Sequence, residues 1–178
     1  NSQNIMVAVE RASKVVFALK TYSHFNHSGS MTTANVTDGI DVVLTLYHNQ
    51  LKHGIDVVKY YDTVPPIPCY PDELNQVWTN LIHNAIYAME RKGRLEIRAF
   101  QYDSAVIVQV TDSGCGIPDA IQPRIFTPFF TTKPAGEGSG LGLDIVKRII
   151  DKHHGAIDFE SRPGRTTFSV RLPISPSE

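Results

Sequence analysis

Apolar residues fall in two rhythms along this chain, one of three to four residues and one of two. Ile5, Val9, Ala12, Val16 and Leu19 recur at alternating steps of four and three, and Ala8 and Val15 widen the stripe. That pattern predicts an amphipathic helix of bundle or coiled-coil type, with Glu10 and Lys14 paired on its polar side. An isolated helix of this length is marginal in water, so the stripe calls for a partner. Val36, Ile40, Val43, Leu44, Tyr47 and Leu51 make a second helical stripe. Asn35 or Thr37 would cap its start and Gly54 its end. The β-branched and aromatic run Ile55–Tyr61 reads as a strand, and prolines 65, 66, 68 and 71 hold an extended connector.

A third helix is predicted from Pro71, with Asp72 and Glu73 in its first turn. Its core face carries Leu74, Val77, Trp78, Leu81, Ile82, Ala85, Ile86 and Met89. Gln76, Asn80 and Asn84 lie four apart on another side. The rhythm then changes to two. Arg94–Tyr102 and Ala105–Asp112 alternate around Asp103-Ser104, a hairpin that leaves Asp112 at a strand end. A helix over 141–154 turns Ile145, Ile149 and Ile150 inward, and a last hairpin joins 156–161 to 166–172. The sum is an α/β (α+β) two-layer sandwich, with a mixed, mostly antiparallel sheet and helices on one face.

Composition narrows the possibilities without naming a function. With 178 residues, 42% apolar and 20% charged, the chain suits one ordinary domain plus a small extra element. A net charge of −1 implies no general attraction to nucleic acid or membrane surfaces, so any affinity for an anion must be local. Cys69 and Cys115 have no metal-like spacing and read as reduced thiols of a cytosolic protein. No apolar run approaches the roughly 18 residues of a membrane span. The chain starts at Asn1, so we expect a piece of a longer protein whose other segments supply any membrane anchor.

The chemistry concentrates between 112 and 143. Asp112-Ser113-Gly114-Cys115-Gly116-Ile117-Pro118 opens the stretch, Phe126-Thr127-Pro128-Phe129-Phe130-Thr131-Thr132-Lys133 follows, and Gly138-Ser139-Gly140-Leu141-Gly142-Leu143 closes it. A glycine loop running into a helix start aims free N–H groups and a positive dipole end at one place, which suits phosphate oxygens. The long segment between the glycine clusters reads as a movable cover, with Phe126, Phe129 and Phe130 as aromatics that would anchor it to the body. Neither glycine pattern matches a dinucleotide fingerprint or a P-loop.

Together with Gln76-Val77-Trp78-Thr79-Asn80-Leu81-Ile82-His83-Asn84-Ala85, these blocks resemble, in order, the N, G1, F and G2 boxes of the GHKL (Bergerat-fold) ATP-binding superfamily. The sensor histidine-kinase branch is the nearest match, and the resemblance covers about 35–173. It implies ATP and Mg²⁺ as cofactors. Asp112 would receive the adenine amine, with Gly114 and Gly116 beside the base and Ile117 against it. Asn84 would ligate Mg²⁺, Thr131, Thr132 and Lys133 would reach phosphates, and Tyr87 would either touch the phosphates or pack in the core. Ser139, Gly140, Leu141 and Gly142 would bind phosphate through backbone N–H groups. Asn80 takes the catalytic position where the hydrolytic branch has a water-activating glutamate, and an amide is no general base. Thr166 stands near the family's adenine-side threonine, but Arg165 replaces the usual glycine before it, which keeps Thr166 out of the expected site.

The resemblance also divides the chain. Residues 1–30 would be the second helix of a dimerisation and phosphotransfer hairpin, 31–175 the catalytic domain and 176–178 a tail. No histidine is followed by Asp or Glu, so the acceptor histidine is expected outside this chain, and the chain alone is not expected to autophosphorylate. The expected partners are a response-regulator receiver domain and, in the full-length protein, a second copy. The alternatives are a hydrolytic ATPase of the same superfamily and a degenerate module that binds nucleotide without turnover.

Overall fold

The computed structural model describes residues 4–5, 30–132 and 142–175. The predicted first helical stripe from Val9 onward, the tail 176–178, and Lys133, Ser139, Gly140 and Leu141 lie outside the described residues.

The described elements are β1 (Thr32–Ala34), α1 (Val36–Leu46), α2 (His48–Leu51), β2 (Ile55–Tyr61), β3 (Ile67–Cys69), α3 (Pro71–Ala88), β4 (Gly93–Tyr102), β5 (Ala105–Asp112), a 3₁₀ turn (Gln122–Arg124), α4 (Gly142–Lys152), β6 (Ala156–Arg162) and β7 (Arg165–Pro173). Five strands form one sheet in the order β2-β4-β5-β7-β6. Only β2–β4 is parallel, and α3 is the crossover that such a pair requires. The remaining three pairs are antiparallel, so the sheet is mixed and mostly antiparallel, with the helices on one face.

Alternation in the strands becomes burial on that face. Leu95, Ile97 and Ala99 on β4 and Val106, Val108 and Val110 on β5 are buried under Trp78, Leu81 and Ile82 of α3 and Ile145, Ile149 and Ile150 of α4.

Three local features differ from the sequence expectation. The second stripe is broken at Tyr47 into α1 and α2, and Asn35 occupies the N-cap without a side-chain cap bond. The proline-rich connector is not wholly irregular, because β3 pairs antiparallel with β1. Phe129, expected among the aromatics that anchor the cover, is 74% exposed with φ +63°. Phe126 does pack, edge-on to Phe159 at 6.0 Å.

The start of α3 is tied to the end of α4 by His153, which is buried. Its Nε2 accepts from the Tyr70 N–H at 3.0 Å and its Nδ1–H donates to the Ile149 carbonyl at 2.7 Å. Both bonds require a neutral ring, and burial pulls the pKa below its usual 6.5. Around it stand Tyr70, Glu73, Lys152 and His154; Glu73 and Lys152 are paired at 3.0 Å. Because the folded pKa is depressed, this contribution to stability is fully present above pH 6.5 and is lost as pH falls towards the folded value. Urea unfolding of the wild type and His153→Gln should therefore show a stability difference that shrinks below pH 6.5.

Candidate functional site

Two backbone segments close on the turn after β5. Gly114 sits against the end of α3: a Cβ built on it would lie 2.5 Å from the Ala88 carbonyl oxygen. The Cys115 N–H donates to that same carbonyl at 3.2 Å. From the other side the β6–β7 hairpin approaches, with the Gly164 N–H donating to the Gly114 carbonyl at 2.9 Å. Gly116 has φ +82°, and a Cβ there would meet the Arg162 carbonyl at 2.5 Å. A side chain at either glycine would push these segments apart.

Asp112 ends β5 inside this ring and is only 6% exposed. One carboxylate oxygen accepts from the Gly114 N–H at 2.8 Å. Burial lifts its pKa from 3.8 to about 6, and the Gly114 bond opposes that rise. At neutral pH the group is therefore mostly ionised, at a desolvation cost that another donor would relieve. Its cross-strand partner on β7 is Thr166, which is 3% exposed. Thr166 Oγ1 lies 2.7 Å from Ser161 Oγ, and Ser161 Oγ accepts from the Ile117 N–H at 2.7 Å. Ile117, half-buried, is thus tied through Ser161 to the threonine paired with Asp112.

The raised Asp112 pKa has a stability consequence. A carboxyl that binds its proton more tightly when folded stabilises the fold most below pH 3.8, and that contribution is lost as pH rises through about 6. Asp112→Asn keeps an acceptor for Gly114 and removes the buried charge. At pH 7.5 without ligand it should unfold about 2–6 °C higher than wild type, by about 1–2 kcal/mol after screening. A melting scan should show the gain vanish near pH 4.

A second constellation lies along α3. Gln76 Nε2–H donates to Asn80 Oδ1 at 2.8 Å, and Asn80 Nδ2–H donates to the Gly142 carbonyl at 2.9 Å. Asn80 therefore bridges α3 to the first residue of α4, where the glycine cluster meets the helix. Asn84 is half-buried one turn further on, and Tyr87 is 42% exposed, so Tyr87 is not a core residue. His83 is half-buried, with Nδ1 3.4 Å from the Tyr47 hydroxyl. Thr131 and Thr132 are exposed at the end of the described part of the cover.

The structure thus gathers Asp112, Gly114, Gly116 and Ile117 around one turn, and couples Asn80 to Gly142. Among the described residues no group of three or more His, Cys, Asp or Glu is placed to hold a metal ion. None of the described helices is long and apolar enough to cross a membrane. Thr166 and Ser161 were missed or left aside from sequence. The threonine was visible there, but its pairing with Asp112 depends on long-range strand register.

Known proteins resemble this chain in sequence and in fold. The description "Histidine kinase-, DNA gyrase B-, and HSP90-like ATPase" matches residues 69–176. The sensory histidine kinase/phosphatase NtrB of Klebsiella oxytoca is 32% identical over 180 residues, covering 94% of this chain and 51% of its own. The chain therefore spans about half the length of that relative. The solved catalytic domain of the histidine kinase ThkA superimposes with a TM-score of 0.76 at 34% identity, covering 83% of this chain and 98% of that one. ThkA in complex with the response regulator protein TrrA aligns with a TM-score of 0.79 at 28% identity, over 98% of this chain and 51% of that one.

Proposed function

The chain belongs to the histidine kinase-, DNA gyrase B- and HSP90-like ATPase family, and from that premise we propose that it is the ATP-binding catalytic domain of a sensor histidine kinase. It passes the γ-phosphoryl group of ATP to a histidine outside this chain, and the phosphoryl group then moves to an aspartate of a response regulator. The observation that carries this reading is the amide at Asn80. Position 80 is where hydrolytic members need a glutamate to activate water. Here it holds a neutral side chain whose oxygen and nitrogen are bonded to Gln76 and to the Gly142 carbonyl. Such a residue positions and cannot deprotonate water. Phosphoryl transfer to a supplied nucleophile needs mainly positioning and charge neutralisation.

In this reading Asp112 accepts from the adenine amine, the donor that its buried charge lacks, and Ile117 lies against the ring. Asn84 offers its oxygen to Mg²⁺, which completes its shell with phosphates and waters. Tyr87, Thr131, Thr132 and Lys133 reach the phosphates from the helix and the cover, and backbone N–H groups of 139–142 cradle them. The stripe beginning at Ile5 pairs with a second copy in the longer protein, and the domain works in the cytoplasm. ThkA, solved with a response regulator, supports the choice of partner.

The test uses the longer protein with γ-labelled ATP. Acid-labile, base-stable label on the protein, transferable to a receiver domain, is the expected result. Free phosphate without protein label would favour the hydrolytic reading. Nucleotide binding with neither product would favour a degenerate module.

A further inference from the structure

The Asn80 amide is engaged at both of its polar atoms. Its Nδ2–H donates to the Gly142 carbonyl at 2.9 Å, and its Oδ1 accepts from Gln76 Nε2–H at 2.8 Å. The direction of this chain of bonds is set at one end. A backbone carbonyl can only accept, so Asn80 must turn its NH₂ group towards Gly142. Its oxygen is left facing Gln76, where only a donor satisfies it. Gln76 therefore decides which way the Asn80 amide points. Both side chains are half-buried, so water competes for these groups less than it would on an open face.

The same chain of bonds joins two helices. α3 and α4 run antiparallel: Tyr70, just before α3, meets His153, just after α4, whereas Asn80, within α3, meets Gly142 at the start of α4. Between these ends Ile145, Ile149 and Ile150 of α4 pack in the same core as Val77, Leu81 and Ile82 of α3. Apolar packing is non-directional and tolerates small slides. A hydrogen bond requires a short distance and a narrow angle. The α4 start is thus held in register with the middle of α3 by an amide whose orientation Gln76 fixes.

We propose that Gln76 is a positioning residue for the phosphates of the nucleotide, acting through Asn80. The inference rests on the nucleotide reading above, in which Asn84 on α3 holds the metal and the α4 start offers backbone N–H groups to the phosphates. Asn84 lies one turn beyond Asn80, so the two halves of the phosphate site stand on different helices. By orienting Asn80, Gln76 sets the separation at which those halves meet.

Three substitutions at position 76 separate donor, charge and shape. Gln76→Met keeps a similar length and removes the donor. Gln76→Glu keeps the shape and offers only acceptors. Gln76→Lys keeps a donor. Each protein is titrated by calorimetry with adenosine, which reports on the base pocket alone, and with Mg-ATP; circular dichroism shows which variants are folded. Wild type should bind Mg-ATP more tightly than adenosine. Gln76→Met and Gln76→Glu should each weaken Mg-ATP about tenfold while leaving adenosine within about twofold of wild type. Gln76→Lys should recover most of the loss. An equal loss of both ligands would make Gln76 a residue of the scaffold only. Unchanged Mg-ATP affinity in Gln76→Met, with Gln76→Glu and Gln76→Lys shifting it in opposite directions, would reduce the effect to bare charge. Either result, or a Gln76→Lys protein that recovers nothing, would overturn the proposal. A folded wild type with no preference for Mg-ATP over adenosine would overturn the nucleotide reading itself and this inference with it.

Discussion

Asp112→Ala is expected to weaken ATP binding by about 10- to 100-fold while leaving a folded domain. The carboxylate is 6% exposed and already bonded to the Gly114 N–H. A charge-assisted bond to an adenine amine contributes roughly 1.5–3 kcal/mol, which is about 10- to 100-fold in Kd. The orphaned Gly114 N–H lowers stability instead, because it is unpaired with and without nucleotide. Fluorescence or calorimetric titration of both proteins measures it. The same carboxylate sets a pH dependence. Its pKa near 6 means that protonation removes the acceptor, so wild-type affinity should fall as pH drops through about 6. Asp112→Asn is the companion control, because it should be more stable than wild type and still bind poorly. Weak binding by a stabilised protein cannot be blamed on unfolding. Retention of near-normal affinity by Asp112→Ala would remove Asp112 from the base pocket.

Asn84→Ala should leave metal-free ATP binding largely intact and abolish the benefit of Mg²⁺. The proposed base pocket is built from β5, the Gly114–Gly116 turn, the β6–β7 hairpin and the end of α3 at Ala88, none of which includes Asn84. In the proposed reading its amide meets the metal and phosphates, and losing the one protein oxygen on the metal would misplace the transferring group. Misplacement of this kind costs on the order of 10²–10³-fold in rate. Labelling of the longer protein should fall by that factor, while titration with ATP in EDTA should match wild type. An Asn84→Ala protein that transfers phosphate normally would place the metal elsewhere.

Much of this was legible in the chain because local rules and tertiary demands agree there. Ile55–Tyr61, the hairpin at Asp103-Ser104 and the α3 start at Pro71 appear where alternation, turn residues and helix-start chemistry put them. Asp112 ends its strand as expected, and its burial follows from the elements packed around it. The misses have physical causes. The apolar spacing from Val36 to Leu51 continues through Tyr47, so periodicity alone does not register the break between α1 and α2. The strands β1 and β3 have three residues each and the second contains Pro68, which leaves no rhythm to detect. Their pairing is a long-range event. Thr166 meets Asp112 only through the β5–β7 register, and Ser161 through the turn that follows. The bridge from Asn80 to Gly142 spans 62 residues, so helix spacing explains which side Asn80 faces but not what it holds. Phe129 lies outside the core because its backbone is left-handed at that point, a conformation no apolar pattern predicts.

Calorimetric titration of this chain with ATP, with and without Mg²⁺ and beside Asp112→Ala, tests the central claim most directly. We expect saturable binding of one nucleotide per chain, strengthened by Mg²⁺ and lost in the variant. A folded wild-type chain that takes up no nucleotide, or an Asp112→Ala chain that binds as wild type does, would contradict the assignment of this site.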